Sequence, residues 1–115
     1  MPGFLSTHVL DTALGIPAAG VRIMLYRVMG NTHKKIVEMV TNADGRTDKP
    51  LLEGKAFTTG GYELVFCTGD HQRAVGGAPS FLDEIPVRFA VSDAAAHYHV
   101  PLLLSPFGYS TYRGS

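Results

Sequence analysis

Two histidines one residue apart, in His97-Tyr98-His99, are the side chains best placed to do chemistry in this chain. Residues two apart on an extended strand share a face, so both imidazoles point the same way. Inside a core that face would be costly for two polar rings without partners. On an outer face the pair is either solvated or available to a partner subunit, a metal or a substrate. His8 alternates with Ser6 on one face against Thr7 and Val9 on the other. If its strand lies close to that of the pair, His8 and one of His97 and His99 converge. Three imidazoles plus water is a known zinc arrangement. The chain lacks the His-x-x-x-His and Cys-x-x-Cys spacings that would specify a metal, and none is expected. His33 falls in a turn and His71 in a short helix; both read as solvent-exposed.

Arg46 follows Asn42-Ala43-Asp44-Gly45, where Asp-Gly supplies the positive φ of a tight turn. The segment through Asp48 lacks the bidentate glutamate that ends a calcium loop, so no calcium site is expected. A guanidinium held just after a rigid turn can grip a planar anion through two parallel hydrogen bonds, or pair with Asp44 or Asp48 at the surface. Cys67 is the one cysteine, which excludes an intrachain disulfide; in an apolar strand it reads as an inert buried thiol. No nucleophile elbow, phosphate-binding loop or dinucleotide fingerprint is present.

The elements that must carry these groups are short strands. Gly (13) and Pro (7) punctuate runs rich in β-branched and aromatic residues. Strands are expected over 6–10, 21–28, 35–41, 61–67, 86–92, 97–104 and 107–112, with a short edge segment before Pro50. The one helix is expected over 69–75, stopped by Gly76 and Gly77. Seven or eight short strands with one short helix describe an all-β sandwich. At 115 residues, 45% hydrophobic and 17% charged, the chain is expected to be a single domain over 1–115. Ten basic against ten acidic residues give zero net charge, which argues against nucleic-acid and anionic-membrane partners. With no signal segment visible, cytoplasmic residence is expected.

Tyr98-His99-Val100-Pro101-Leu102-Leu103-Leu104-Ser105-Pro106, followed by Gly108-Tyr109-Ser110-Thr111-Tyr112-Arg113-Gly114-Ser115, closely resembles the 5-hydroxyisourate hydrolases, the transthyretin-related enzymes of urate breakdown. The resemblance extends to 5–12, 15–21 and 41–48, in the same order and without a large insertion. The terminal Tyr-Arg-Gly-Ser separates these hydrolases from transthyretin, which shares the Leu-Leu-Ser-Pro segment but lacks that ending and the histidine pattern. The resemblance implies a transthyretin-like sandwich of two four-stranded sheets with one short helix. It implies a homotetramer, a dimer of dimers, with active sites at one interface opening into a central channel. The implied substrate is the small molecule 5-hydroxyisourate, with neither metal nor cofactor required.

Carried over position by position, the catalytic set is His8, Arg46, His99 and Ser115, with Tyr112, Arg113 and Gly114 joining His8 and Arg46 in holding substrate. His99 and His8 would activate water and shuttle its proton, the base being either. Arg46 would clamp the ring and steady the oxyanion. Ser115 would bring a hydroxyl and an α-carboxylate, and Tyr112 and Arg113 the pocket wall. His97, on the same strand face as His99, either orients the site from behind or is exposed, and exposure is favoured. Phe107 stands where many relatives have Tyr. A non-catalytic carrier of an aromatic ligand is the competing reading, and it would need an apolar channel.

Overall fold

The computed structural model describes residues 2–76 and 80–114. In chain order the strands are β1 (Phe4–Ser6), β2 (Val9–Asp11), β3 (Ile16–Pro17), β4 (Arg22–Met29), β5 (Thr32–Val40), β6 (Leu52–Glu53), β7 (Gly60–Cys67), β8 (Glu84–Val91), β9 (His97–His99), β10 (Leu102–Ser105) and β11 (Gly108–Thr111). Among the described residues one α-helix, α1 (Gly69–Gly76), joins β7 to β8, and a single 3-10 turn (Gly54–Ala56) follows β6. The α-helix contains the helix expected over 69–75 but takes in Gly76, which was expected to stop it; Gly77, the other expected stop, lies outside the described residues.

One layer is a four-stranded antiparallel sheet of order β5-β4-β7-β8. Alternation turns Ile23, Leu25, Tyr62, Leu64, Phe66 and Ile85 inward, each at most 1% exposed. They meet Leu5, Val9, Leu102 and Leu104 of the opposite layer, all fully buried. Burying each such side chain contributes about 1.5–3 kcal/mol relative to exposure. β5 starts earlier than expected because a two-residue turn at Gly30-Asn31 closes the β4–β5 hairpin. As an edge strand its faces are mostly exposed, and a bulge opposite Leu25 and Tyr26 breaks its period. His33 therefore lies in β5 rather than in a turn.

In the opposite layer β1 runs parallel to β9 and β2 parallel to β10. The strands expected over 6–10 and 97–104 are each divided, at Thr7-His8 and at Val100-Pro101. Pro101 has no N–H to give to a ladder, so regular pairing stops there. Other bonds carry the layer across the break. Val100 N–H donates to Ser6 O (2.9 Å), Leu102 N–H to His8 O (2.9 Å) and the buried Thr7 hydroxyl to Val100 O (2.7 Å). The sandwich thus has one four-stranded sheet facing a bent layer of two parts, β6-β1-β9 and β3-β2-β10-β11.

Two further expectations are corrected. His71 is not exposed: its Nε2 lies 2.8 Å from Asp11 Oδ2, with side chains only 7% and 3% exposed. The helix is short of apolar contacts, and this pair fastens it to β2, helped by Gln72 Nε2 donating to Ser105 O. Cys67 is half-buried rather than buried, because the β7 register sets it opposite Arg22 and Glu84 on the outer face. No helix among the described residues is long and apolar enough to cross a membrane.

The 42–48 turn is stitched by Asn42, whose Oδ1 accepts from Asp44 N–H (2.9 Å) and Arg46 N–H (3.2 Å). Gly45, at φ 75°, donates to Asn42 O and accepts from Val9 N–H. A Cβ there would sit 2.4 Å from Val9 O. Gly45→Ala is expected to lose about 1–2 kcal/mol from left-handed backbone alone, and more from this contact. Urea unfolding of both proteins checks it.

Candidate functional site

Three chain segments meet on the outer face of the bent layer. The parallel register sets Phe4 beside His97, Leu5 beside Tyr98 and Ser6 beside His99. Leu5 and Tyr98 point into the core, so Phe4, Ser6, His97 and His99 face outward and are half-buried. Alternation continues through Thr7, buried, to His8, half-buried on the same face. This is the convergence that the His8 alternation requires.

The second segment is the turn. A backbone bridge pairs Arg46 antiparallel with His8, which brings the guanidinium's strand alongside the imidazole's. His8 Nε2 lies 2.8 Å from Asp44 O. A carbonyl only accepts, so Nε2 carries the proton and Nδ1 of the neutral ring keeps its lone pair. Asp48 is taken up by Asn42 Nδ2 (3.0 Å), and among the described residues Arg46 makes no ion pair. The pairing of Arg46 with Asp44 or Asp48 is thus not seen, and its charge bears on His99.

The third segment is the tail. After β11, Gly114 forms an antiparallel bridge to His99, with its N–H donating to His99 O at 2.7 Å. A Cβ at Gly114 would fall 2.7 Å from His99 Cδ2, so only glycine lets the tail lie this close. Arg113 stacks its guanidinium over the Tyr98 ring at 4.0 Å. Since Tyr98 points to the opposite face of β9, Arg113 is turned away from His99 in the single chain. Tyr112 is 58% exposed. Both line a cleft of about 230 Å³ with Phe89 and Val100. Ser115 lies outside the described residues.

His97 is not exposed as expected: its ring stacks on Phe4 at 3.9 Å, and its Nε2 lies 2.7 Å from Ser6 Oγ. Ser6 Oγ also stands 2.8 Å from His99 Nδ1. Ser6 was visible in the sequence only as a polar residue in phase with His8; its partners depend on a register that no local pattern encodes. Among the described residues no three His, Cys, Asp or Glu side chains form a metal-holding group.

Burial, and then the neighbouring charges of Arg46, His97 and His8, hold the His99 imidazole below its ordinary pKa of 6.5. The neutral, proton-accepting ring therefore persists to lower pH than in a free histidine.

The β-sandwich thus carries several imidazoles on one outer face with the Arg46 segment beside them, a polar set suited to chemistry on a small polar molecule. The HIUase/Transthyretin family model matches residues 5–114, and the chain belongs to that family. It is 59% identical to 5-hydroxyisourate hydrolase 2 of Rhizobium meliloti (strain 1021), over 98% of this chain and 97% of that one. Among solved structures it is similar to 5-hydroxyisourate hydrolase of Klebsiella pneumoniae, with TM-score 0.82 and 36% identity over 98% of this chain and 99% of that one. It is also similar to (S)-allantoin synthase, with TM-score 0.90 and 47% identity over 99% of this chain, which spans only 44% of that longer chain.

His99 is expected to titrate below the ordinary imidazole range in an NMR pH series. Arg46→Gln removes a cation that opposes its protonation, so the midpoint should move up; an unchanged midpoint would mean that Arg46 does not face the ring.

Proposed function

We propose that the protein is a 5-hydroxyisourate hydrolase, opening a ring amide of 5-hydroxyisourate with water to give 2-oxo-4-hydroxy-4-carboxy-5-ureidoimidazoline in urate breakdown. The observation that carries this reading is the meeting of His8, Arg46 and His99 on one outer face, held there by pairing between distant segments. Near-full-length relatives bearing that activity in their names support it.

The reaction needs a water activated near neutral pH, a place for the oxyanion and a clamp on a flat, electron-rich ring. His99 suits the first task. Ser6 holds its Nδ1, which leaves Nε2 toward substrate, and burial with Arg46 keeps it neutral and able to accept a proton. As water adds to the carbonyl carbon, its proton goes to His99 and negative charge gathers on the carbonyl oxygen. Arg46 stabilises that charge; oxyanion donors of this kind are typically worth about 3–4 kcal/mol. The C–N bond then breaks and the leaving nitrogen takes a proton back. His8, its tautomer set by Asp44 O, orients the water or the ring through Nδ1. Gly114 lets the tail close against His99, and Tyr112 and Ser115 are assigned to the wall; Arg113, stacked on Tyr98, faces away from this site within one chain. No step calls on a metal or cofactor. The carrier reading has this polar set against it, because an apolar ligand would strand these groups without partners.

We also infer a homotetramer in which the site lies between subunits. The outer face that bears it is uncovered in one chain, β8 and β11 are sheet edges, and Phe81 and Phe107 are 69% and 81% exposed. Light scattering should return the mass of four chains; a monomer would overturn this inference.

Urate and uricase generate 5-hydroxyisourate in place, and its ultraviolet band reports decay. Accelerated decay is expected, with His99→Ala lowering kcat by about 100-fold or more while the assembly persists. Decay at the spontaneous rate from well-folded wild type would overturn the hydrolase reading.

A further inference from the structure

A serine hydroxyl stands between two imidazoles on the outer face of the bent layer. Ser6 Oγ is 2.7 Å from His97 Nε2 and 2.8 Å from His99 Nδ1, while the two ring centres are 6.0 Å apart. The rings therefore communicate through the hydroxyl. A hydroxyl has one proton to donate, so of two nitrogens at this distance one receives it and the other must donate its own. The arrangement is built in: all three side chains are half-buried, the β1–β9 register sets Ser6 beside His99, and Phe4 clamps the His97 ring at 3.9 Å with an 18° interplanar angle. The reading of His99 and His8 around the reacting water uses Ser6 only to hold His99 Nδ1 and leaves His97 without a task.

We propose that His97, Ser6 and His99 form a proton relay, in which Ser6 and His97 are positioning residues that fix the tautomer of His99 and take up the proton it gains. The inference rests on His99 acting as the base. A base needs a free lone pair at Nε2, so the neutral ring carries its proton at Nδ1 and donates it to Ser6 Oγ. Ser6 then donates to His97 Nε2, and His97 carries its own proton at Nδ1.

When water attacks, its oxygen bonds to the carbonyl carbon and its proton moves to His99 Nε2. The Nδ1 proton of His99 passes to Ser6 Oγ as the Ser6 proton passes to His97 Nε2. His99 ends neutral with its proton on the substrate side, His97 ends as the imidazolium, and the negative charge sits on the carbonyl oxygen. On collapse the C–N bond breaks, the leaving nitrogen takes the proton from His99 Nε2, and the relay runs back. Positive charge thus never rests on His99, where burial, Arg46 and His8 oppose it. The groups that bear on its titration are Arg46, His97 and His8.

Long-range proton–nitrogen NMR of the full chain labelled with ¹⁵N-histidine tests the hydrogen-bond order without substrate. Wild-type His99 should carry its neutral-ring proton at Nδ1, and Ser6→Ala should shift it toward the Nε2–H form that free histidine prefers. A wild-type His99 protonated at Nε2 overturns the relay. In the uricase-coupled assay, Ser6→Ala and His97→Phe, which retains the stack on Phe4, should each lower kcat about 10- to 100-fold with KM within about twofold, as loss of such supporting contacts does. The double variant should lose no more than the worse single, Ser6→Thr should recover most of the rate, and the curved solvent-isotope inventory of wild type should become linear in both singles. Multiplicative losses, or singles with wild-type kcat beside an inactive His99→Ala, overturn the relay and leave the hydrolase reading standing. A wild type that leaves decay at the spontaneous rate overturns both.

Discussion

Everything on the outer face depends on one pairing, the parallel alignment of the chain's first strand segments with the segments that begin at His97. It sets Ser6 beside His99 and, through the break at Thr7 and Pro101, carries His8 onto the same face. A slip of one residue would exchange the faces, turning Leu5 and Tyr98 to solvent and the histidines into the core. The core forbids that slip: Leu5, Val9, Leu102 and Leu104 are all fully buried, and exposing them would cost several kcal/mol. Apolar packing inside the sandwich therefore fixes polar geometry on its outer surface to within a hydrogen bond.

The polar bonds at the break have a second effect. Where Pro101 interrupts the ladder, backbone carbonyls would be left without donors in a half-buried layer, a cost of about 1–3 kcal/mol each. The Thr7 hydroxyl satisfies Val100 O and the Thr111 hydroxyl satisfies Pro101 O, both at 2.7 Å. The bend is thus stabilised by side chains from both neighbouring strands, and it holds the His8 segment against the turn that bears Arg46.

The sequence was legible where a local rule decides. Period-two alternation put Ser6 with His8 on one side of their strand and His97 with His99 on one side of theirs, and Asp-Gly marked the turn before Arg46. It was illegible where a partner far along the chain decides. Asp11 falls just past the strand expected over 6–10 and His71 reads as a solvated helix residue, yet they are a buried pair, because only the docking of the helix brings them together. Asp11 shares the inward phase of Val9, and that parity was the available sign that its carboxylate needed a partner. His97 read as exposed because neither Phe4 nor Ser6 is near it in sequence. The breaks at Thr7 and Val100 were hidden because alternation runs through both, and β5 was misread at its start because an edge strand with two wet faces has no pattern to follow.

The bridge from Gly114 to His99 orders events during synthesis. β4 and β5 form a hairpin, β7 then pairs with β4 and β8 with β7, so every strand of this sheet has been delivered by residue 91. The first strands find only short partners early, β3 beside β2 and β6 beside β1; their parallel partners arrive with residues 97–105, and the tail that packs on His99 follows them. A chain stopped a few residues short would own most of its core and none of its finished outer face. Nascent protein is therefore sheet before it is site.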